Sequence, residues 1–317
     1  MSALAPRGLT WTVLTLHRRA LQLFGGFLVL GAAASAALHA AGSGAARPAG
    51  PCGSPGTGLP PCVDRPMTSW FDYSGNLGLV ATVLAWFPLV LAFYAGAVLI
   101  GAELQRGTAQ LAWTQGTSPA RWLLAKLALP ALVATTGLLA LSLLYRWARG
   151  AAPRALSDEW YYSDVFLAMG PAVLAYGLLA LAVGALTGLL VRRALPAGGI
   201  ALAVTGLVML LCERWRSGFW TPAEVVWKNS RGEVGNSAWQ LDMGLITPSG
   251  RRIHECLEPG VPATQGCYEA RSAKQWYALH HPSDHFWPLQ LAETGIVLAL
   301  AALATVLAFR VLRRHHA

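Results

Sequence analysis

The sequence predicts an all-α polytopic membrane protein: six transmembrane helices, an N-terminal interfacial helix, and an extracytoplasmic insertion between spans five and six. Three observations carry this expectation. Of the 317 residues, 55% are hydrophobic and only 12% charged, against about 25% charged in soluble domains. Six apolar runs lie near 21–41, 77–101, 123–145, 164–191, 195–212 and 287–309, and crossing roughly 30 Å of hydrocarbon takes about 20 helical residues. Ala, Leu, Gly and Val dominate these runs on all sides, and none alternates with period two, which argues against a transmembrane barrel.

Orientation follows from the basic residues. With both termini on one side, that side holds Arg7, Arg18, Arg19, Arg106, Arg121, Lys126, Arg192, Arg193, Arg310, Arg313 and Arg314, and Glu103 is its only acidic residue. Lys and Arg in short loops face the cytoplasm, so both termini are expected there. The net charge of +9 is therefore a matter of location and does not point to nucleic acid.

Residues 1–20, with Trp11, Val13, Leu14, Leu16 and then His17-Arg18-Arg19, suit a short helix lying in the inner interface. The run that follows resembles a signal peptide around Ala36–Ala41, but its length fits a retained span, and five more spans follow it. Residues 21–212 hold spans one to five. Gly, Pro and Ser fill the first outer loop, 42–76. Pro88 should kink the second span, because proline removes one helical hydrogen bond. Ser118-Pro119 starts the third: serine caps free amides, and proline loses nothing at the first helical position. Trp147, Trp160, Tyr161 and Tyr162 form an aromatic belt in a shorter outer loop. Ala180, Gly184 and Gly188, four apart in the fourth span, give a smooth packing face. Arg192-Arg193 makes a tight inner turn and Pro196 opens the fifth span. Residues 213–286 leave the membrane as a folded outer region, and 287–317 form the sixth span and a basic tail.

Four of the five cysteines fall in outer loops: Cys52 and Cys62 in the first, Cys256 and Cys267 in the last. Cys52–Cys62 and Cys256–Cys267 are the disulfides expected on an oxidising face. Zinc is the competing reading, but neither loop supplies a second ligand pair at metal spacing.

Catalytic motifs are missing. There is no G-x-x-x-x-G-K-[ST] loop for ATP and no G-x-S-x-G turn, and Glu258 stands where H-E-x-x-H after His254-Glu255 needs a second histidine. His280, His281, Asp284 and His285 could approach a metal, yet a wet interfacial loop explains them equally, and no metal site is expected. Ionisable groups within spans are scarce: Asp164 lies at an outer edge, and Glu293 about two turns into the last span. Pro88, Tyr94 and Glu293 are the candidates for a transport path, with packing or a loop partner as the structural alternative. A lipid-like or amphiphilic cargo would need few such charges.

The polar stretch 102–122 stands between two long apolar runs. Glu103 sits at the cytoplasmic end of a helix, where the dipole disfavours negative charge. Either an i,i+3 pair with Arg106 explains it, or a partner protein holds this turn, with Leu104, Leu111 and Trp113 as a hydrophobic side.

The pattern Glu103-x-x-Arg106-Gly107-Thr108, Trp113-Thr114-Gln115, Ser118-Pro119-x-Arg121-Trp122 and Lys126 resembles the cytoplasmic segment of type-2 ABC export permeases, most closely an actinobacterial group. Trp11 through Arg19 is similar to that group's interfacial helix, and His285-Phe286-Trp287-Pro288-Leu289-Gln290 with Glu293 to the start of its last span. The resemblance implies a permease without catalysis or cofactor of its own, in a bacterial cytoplasmic membrane. Two such subunits, identical or different, would pair with separate ATPase subunits that bind ATP and Mg, and 102–122 would dock on them through Glu103, Arg106, Gly107, Thr108, Trp113 and Arg121. Efflux of an amphiphilic substrate is the function implied. The alternatives are a non-transporting ABC-like sensor or immunity subunit that binds a ligand outside, and a membrane enzyme acting through 213–286.

Overall fold

The computed structural model describes residues 15, 17–45, 67–114, 118–152, 158–228, 232–235, 237–253 and 275–314. Most of the N-terminal interfacial segment, and Cys52, Cys62, Cys256 and Cys267 with both expected disulfides, lie outside the described residues. The chain forms two compact units. One comprises residues up to Leu211 together with those from Thr294, and the other runs from Cys212 to Glu293.

In the first unit, α1 (Arg18–Ala45) and α2 (Met67–Tyr94) are long apolar helices, and α2 runs into a π-helical segment, Ala95–Gly101. A short α3 (Ala102–Gln105) and α4 (Thr108–Thr114) follow. Then come α5 (Pro119–Arg149), α6 (Ser163–Met169), α7 (Ala172–Val191) and α8 (Ala194–Trp215), and the last helix is α9 (Phe286–Arg314). Among the described residues, six helical stretches are long and apolar enough to cross a membrane, which makes this a polytopic helical membrane protein.

Helix boundaries follow local chemistry. Ser118 caps α5, its hydroxyl accepting from the Arg121 amide at 3.4 Å, with Pro119 beside it at the first turn. The chain stays helical through Pro88 and through Pro130. The fourth apolar run, expected unbroken over 164–191, is divided at Gly170-Pro171. Proline disfavours a helical residue before it, and Gly170 is extended, with φ −132° and ψ 178°. Arg146 Nη1 donates to the Met169 carbonyl at 3.0 Å and satisfies the end of α6. Arg192 closes α7 in the left-handed conformation, φ 55°, and makes the tight turn expected there.

Among the described residues, apolar clusters at two ends hold this unit together. Leu77, Ala81, Leu84, Leu138, Leu141, Tyr145 and Val165 join α2, α5 and α6, while the Tyr73 hydroxyl donates to the Ala148 carbonyl at 3.0 Å. At the other end Leu99, Ile100, Ala109, Trp122, Leu123, Leu189, Ala308 and Leu312 pack together.

The second unit contains a four-stranded antiparallel sheet that the apolar pattern of the sequence did not disclose. Its strands are β1 (Ala223–Lys228), β2 (Trp239–Ile246), β3 (Arg252–Ile253) and β4 (Gln275–His281), in the order β1-β4-β2-β3. β4 is central, pairing Val226 with Tyr277 on one side and Met243 with Ala278 on the other. β1 is exposed on consecutive residues, so it never shows the alternation that reveals a half-buried strand.

Candidate functional site

The polar stretch after α2 folds as a hook. α3 ends at Gln105; Gly107 adopts φ +72°, reversing the chain, and α4 begins at Thr108. Only a residue free of Cβ crowding takes that conformation readily. The Thr108 hydroxyl donates to the Glu103 carbonyl at 3.2 Å, and the Thr114 hydroxyl to the Leu111 carbonyl at 2.9 Å, so the hook satisfies its own free backbone groups. Trp113 meets Trp122 of α5 edge-to-face at 5.5 Å, and Ala109 is fully buried. Leu104 and Trp113 thus pack inward with the neighbouring core. Of the expected hydrophobic side, Leu111 alone stays open, 59% exposed, alongside exposed Arg106, Gln110 and Thr114; Arg121, on the first turn of α5, is exposed too.

Glu103 does not pair with Arg106. Its carboxylate takes an ion pair from Lys126 of α5, and both side chains are largely buried. The i,i+3 expectation fails because Arg106 lies past the end of α3, at its C-cap and in solvent, while Glu103 faces α5. Lys126 also donates to His17 Nε2 at 3.2 Å, and His17 Nδ1 lies 2.7 Å from the Tyr94 hydroxyl. An ammonium can only donate, so Nε2 is the acceptor and the neutral ring carries its proton on Nδ1, from which it donates to the Tyr94 oxygen. Burial, reinforced by the Lys126 ammonium, holds the His17 imidazole down at about 4 and keeps it in that neutral form. Four groups from four parts of the chain therefore converge: the segment before α1, the end of α2, the hook, and α5. In the sequence His17 belongs to the interfacial segment and Lys126 is one of the inner basic residues; only the resemblance pattern holds both.

Between Tyr94 and Glu103 lies the π-helical segment, packed against α7 and α8. The smooth face of the fourth span receives it: a Cβ on Gly184 would lie 2.5 Å from the Ala95 Cβ and 2.8 Å from the Gly96 nitrogen. On α8, the Ala197 carbonyl approaches Gly96 equally closely, at 2.8 Å from the Cβ that glycine lacks, and accepts a hydrogen bond from Thr187 at 3.1 Å. Gln105 Oε1 accepts from the Ala194 amide at 2.9 Å, tying the hook to the start of α8. Nothing in the sequence marked Gln105.

Of the other path candidates, Pro88 is buried within α2, and Tyr94 lines an apolar cavity of about 230 Å³ among α1, α2 and α5. Asp164 accepts from the Thr82 hydroxyl at 2.7 Å and from the Val165 amide at 2.9 Å. Glu293 belongs to the second unit, fully buried, and is gripped by Arg216 through Nε at 2.7 Å and Nη2 at 3.1 Å. This pair joins the points where the chain enters and leaves that unit, Cys212 and Glu293, and it neutralises a carboxylate that would otherwise be costly to bury.

In the same unit His281 uses both ring nitrogens, Nε2 towards the Ser217 carbonyl at 3.0 Å and Nδ1 towards His285 Nδ1 at 3.0 Å. Since a carbonyl only accepts, His281 donates from Nε2 and receives the His285 proton on Nδ1. Burial holds its pKa below the ordinary value, with His285 and His280 adding to that and the Ser217 bond opposing it. Among the described residues, no three of His, Cys, Asp and Glu come together as metal ligands.

The family model described as ABC-2 membrane transporter related matches residues 23–216, which hold α1 from its sixth residue, α2 to α8, the hook and the polar cluster apart from His17. No curated protein and no solved structure matches the chain. The matched region covers more than half of the sequence, and such a component implies a membrane and an ABC ATPase beside it. The chain therefore belongs to the ABC-2 membrane transporter related family and is a type-2 ABC permease.

Proposed function

We propose that this chain is the membrane-spanning half of an ATP-driven exporter that moves an amphiphilic substrate, with both termini and the hook on the cytoplasmic side. ATP and Mg bind to separate ATPase subunits, and two permeases, identical or different, complete the transporter. One observation carries the reading. The hook is bound into the bundle by Glu103–Lys126, His17 and Tyr94, yet it leaves Arg106, Gln110, Leu111 and Thr114 open. A part so connected passes a push on its exposed face into α2 and α5, and nucleotide state biases a membrane conformation only through such differential contact.

Within this reading Arg106, Leu111 and Arg121 meet the ATPase; Gly107 and Thr108 shape the hook; Trp113 and Glu103 anchor it. Pro88 and Tyr94 stay assigned to the path side of the bundle, whereas Glu293, held by Arg216, braces the second unit. The scarcity of ionisable side chains in the spans supports an amphiphilic cargo over an ion or a proton-coupled solute.

The test co-expresses the chain with any ABC ATPase encoded beside it and measures ATP-dependent association, ATP hydrolysis and efflux in vesicles. Leu111→Asp combined with Arg106→Ala should abolish association while the permease alone unfolds as before. Undiminished association and efflux in that variant would remove the hook from the coupling role. Association without any ATP-dependent efflux would favour the sensor or immunity reading.

A further inference from the structure

The cavity that Tyr94 lines adjoins a second one. Its walls are apolar, with Phe24, Phe27, Phe87, Leu91 and Val133 prominent, and its polar members are His17 and Tyr94. A second apolar cavity of about 290 Å³ lies further along α1 and α2, lined by Phe27, Leu30, Gly31, Val83 and Leu141 among others. Phe27 lines both, and its ring stacks on Phe87 at 4.4 Å with 7° between the planes. Phe27, braced by Phe87 of the first chamber, is therefore the shared wall at which the two chambers meet. From Ala20 to Ser35 the lining of α1 rises about 22 Å, most of the depth of a hydrocarbon core. Lining residues Leu23 and Val90 of one chamber, and Leu30, Leu79 and Val83 of the other, are also among the exposed apolar side chains. The groove is thus continuous with the surface these helices offer to lipid.

The polar end has a defined demand. His17 donates to the Tyr94 oxygen, which leaves the Tyr94 hydroxyl proton unspent. Glu103 and Lys126 cancel each other, so the cluster offers this donor without net charge. A donor at the mouth of an apolar groove selects an acceptor oxygen at the junction of a head and a hydrocarbon chain.

We propose that the groove between α1, α2 and α5 binds one acyl chain of an amphiphile, with an ester or amide carbonyl on the Tyr94 hydroxyl and the chain running past Phe27 and Phe87 into the second chamber. This names the cargo class and rests on the exporter reading only in calling the occupant a cargo; binding itself needs neither ATP nor the ATPase.

The full chain is placed in phosphatidylcholine vesicles doped with phosphatidylcholine carrying a photoactivatable diazirine, and adducts are mapped by mass spectrometry. Ester-linked probes with the diazirine near the carbonyl should label Leu21–Phe24, and those with it near the chain terminus Leu30–Ser35. Each should exceed labelling of Leu207–Leu211 on α8 by about fivefold, the factor set by one net hydrogen bond of about 1 kcal/mol. Tyr94→Phe and an ether-linked probe, whose oxygen accepts more weakly, should each remove the excess. Phe27→Ala should open the shared wall and raise terminal-probe labelling beyond Ser35. Equal labelling of groove and α8 would mean boundary lipid only and overturn the proposal, as would groove labelling indifferent to Tyr94→Phe and to the ether link. Loss of ATP-dependent efflux with intact groove labelling would count against the exporter reading alone.

Discussion

Removing Lys126 tests whether the hook is held by the pair with Glu103. The two side chains are 5% and 14% exposed, so Lys126→Met leaves a carboxylate beside neutral His17 and Tyr94 with little water to replace the ammonium. Breaking one side of a buried pair costs about 3–5 kcal/mol, and the residual exposure of Glu103 puts this case near 3. That is roughly two decades in the unfolding equilibrium. Replacing both partners, Glu103→Gln with Lys126→Met, removes the charge problem, so the double variant should be more stable than the sum of the single losses predicts, by about 1.5 kcal/mol or more. Unfolding by denaturant in detergent micelles, followed by tryptophan fluorescence, measures each corner of the cycle. Arg106→Met is the control and should stay within about 0.5 kcal/mol of the parent. Additive losses at Glu103 and Lys126, or an Arg106→Met loss as large as that of Lys126→Met, would refute the pairing and return Glu103 to Arg106.

Other expectations follow from single features. Gly107→Ala meets nothing closer than Gln110 Oε1 at 4.0 Å, so its cost is backbone strain at positive φ, about 1–2 kcal/mol, seen as lower stability; Gly107→Asn should recover part of it, since asparagine tolerates that conformation. In the second unit, Arg216→Met alone should cost about 3–5 kcal/mol by taking the guanidinium from the buried Glu293 carboxylate, while Arg216→Met with Glu293→Leu should restore most of the loss in the same fluorescence assay. His281 has a folded pKa below its ordinary value of 6.5. The unfolded chain therefore takes up its proton first as pH falls, and the second unit keeps its full stability above about pH 6.5 and loses it below. Trp239, whose ring lies 5.5 Å from that of His281, should report the change in fluorescence, and His281→Gln should flatten it.

The spans were legible because membrane helices announce themselves by length and apolarity, and Ser118-Pro119 and Arg192-Arg193 marked real boundaries. Gly170-Pro171 is equally visible in the sequence, yet a single apolar run hides a break whose freed carbonyl is met by a distant arginine. The sheet of the second unit escaped because β1 is exposed on both faces and β4 is half-buried or buried throughout, so neither shows a period of two. Arg216 is a charged residue at the end of an apolar run, where an interfacial anchor is the ordinary reading, and its partner lies 77 positions away. Spacing alone cannot join them.

The polar cluster escaped for a geometric reason that also explains why the second span ends as it does. Tyr94 and Glu103 are nine residues apart, and on an α-helix of 3.6 residues per turn that is about two and a half turns, which sets them on opposite faces. A helical projection of the sequence therefore directs Glu103 away from Tyr94, and Arg106 becomes the natural partner. The seven residues Ala95–Gly101 are instead π-helical, with hydrogen bonds reaching one residue further, so each turn takes up roughly one residue more. Nine residues then come close to two full turns, and both side chains face His17 and Lys126. A wide turn of this kind needs neighbours that come close without filling it, and the glycines at 96 and 184 meet that need. The small-residue face on the fourth span is what allows the second span to be wound so that its last aromatic residue and the only acidic residue of the hook reach the same cluster.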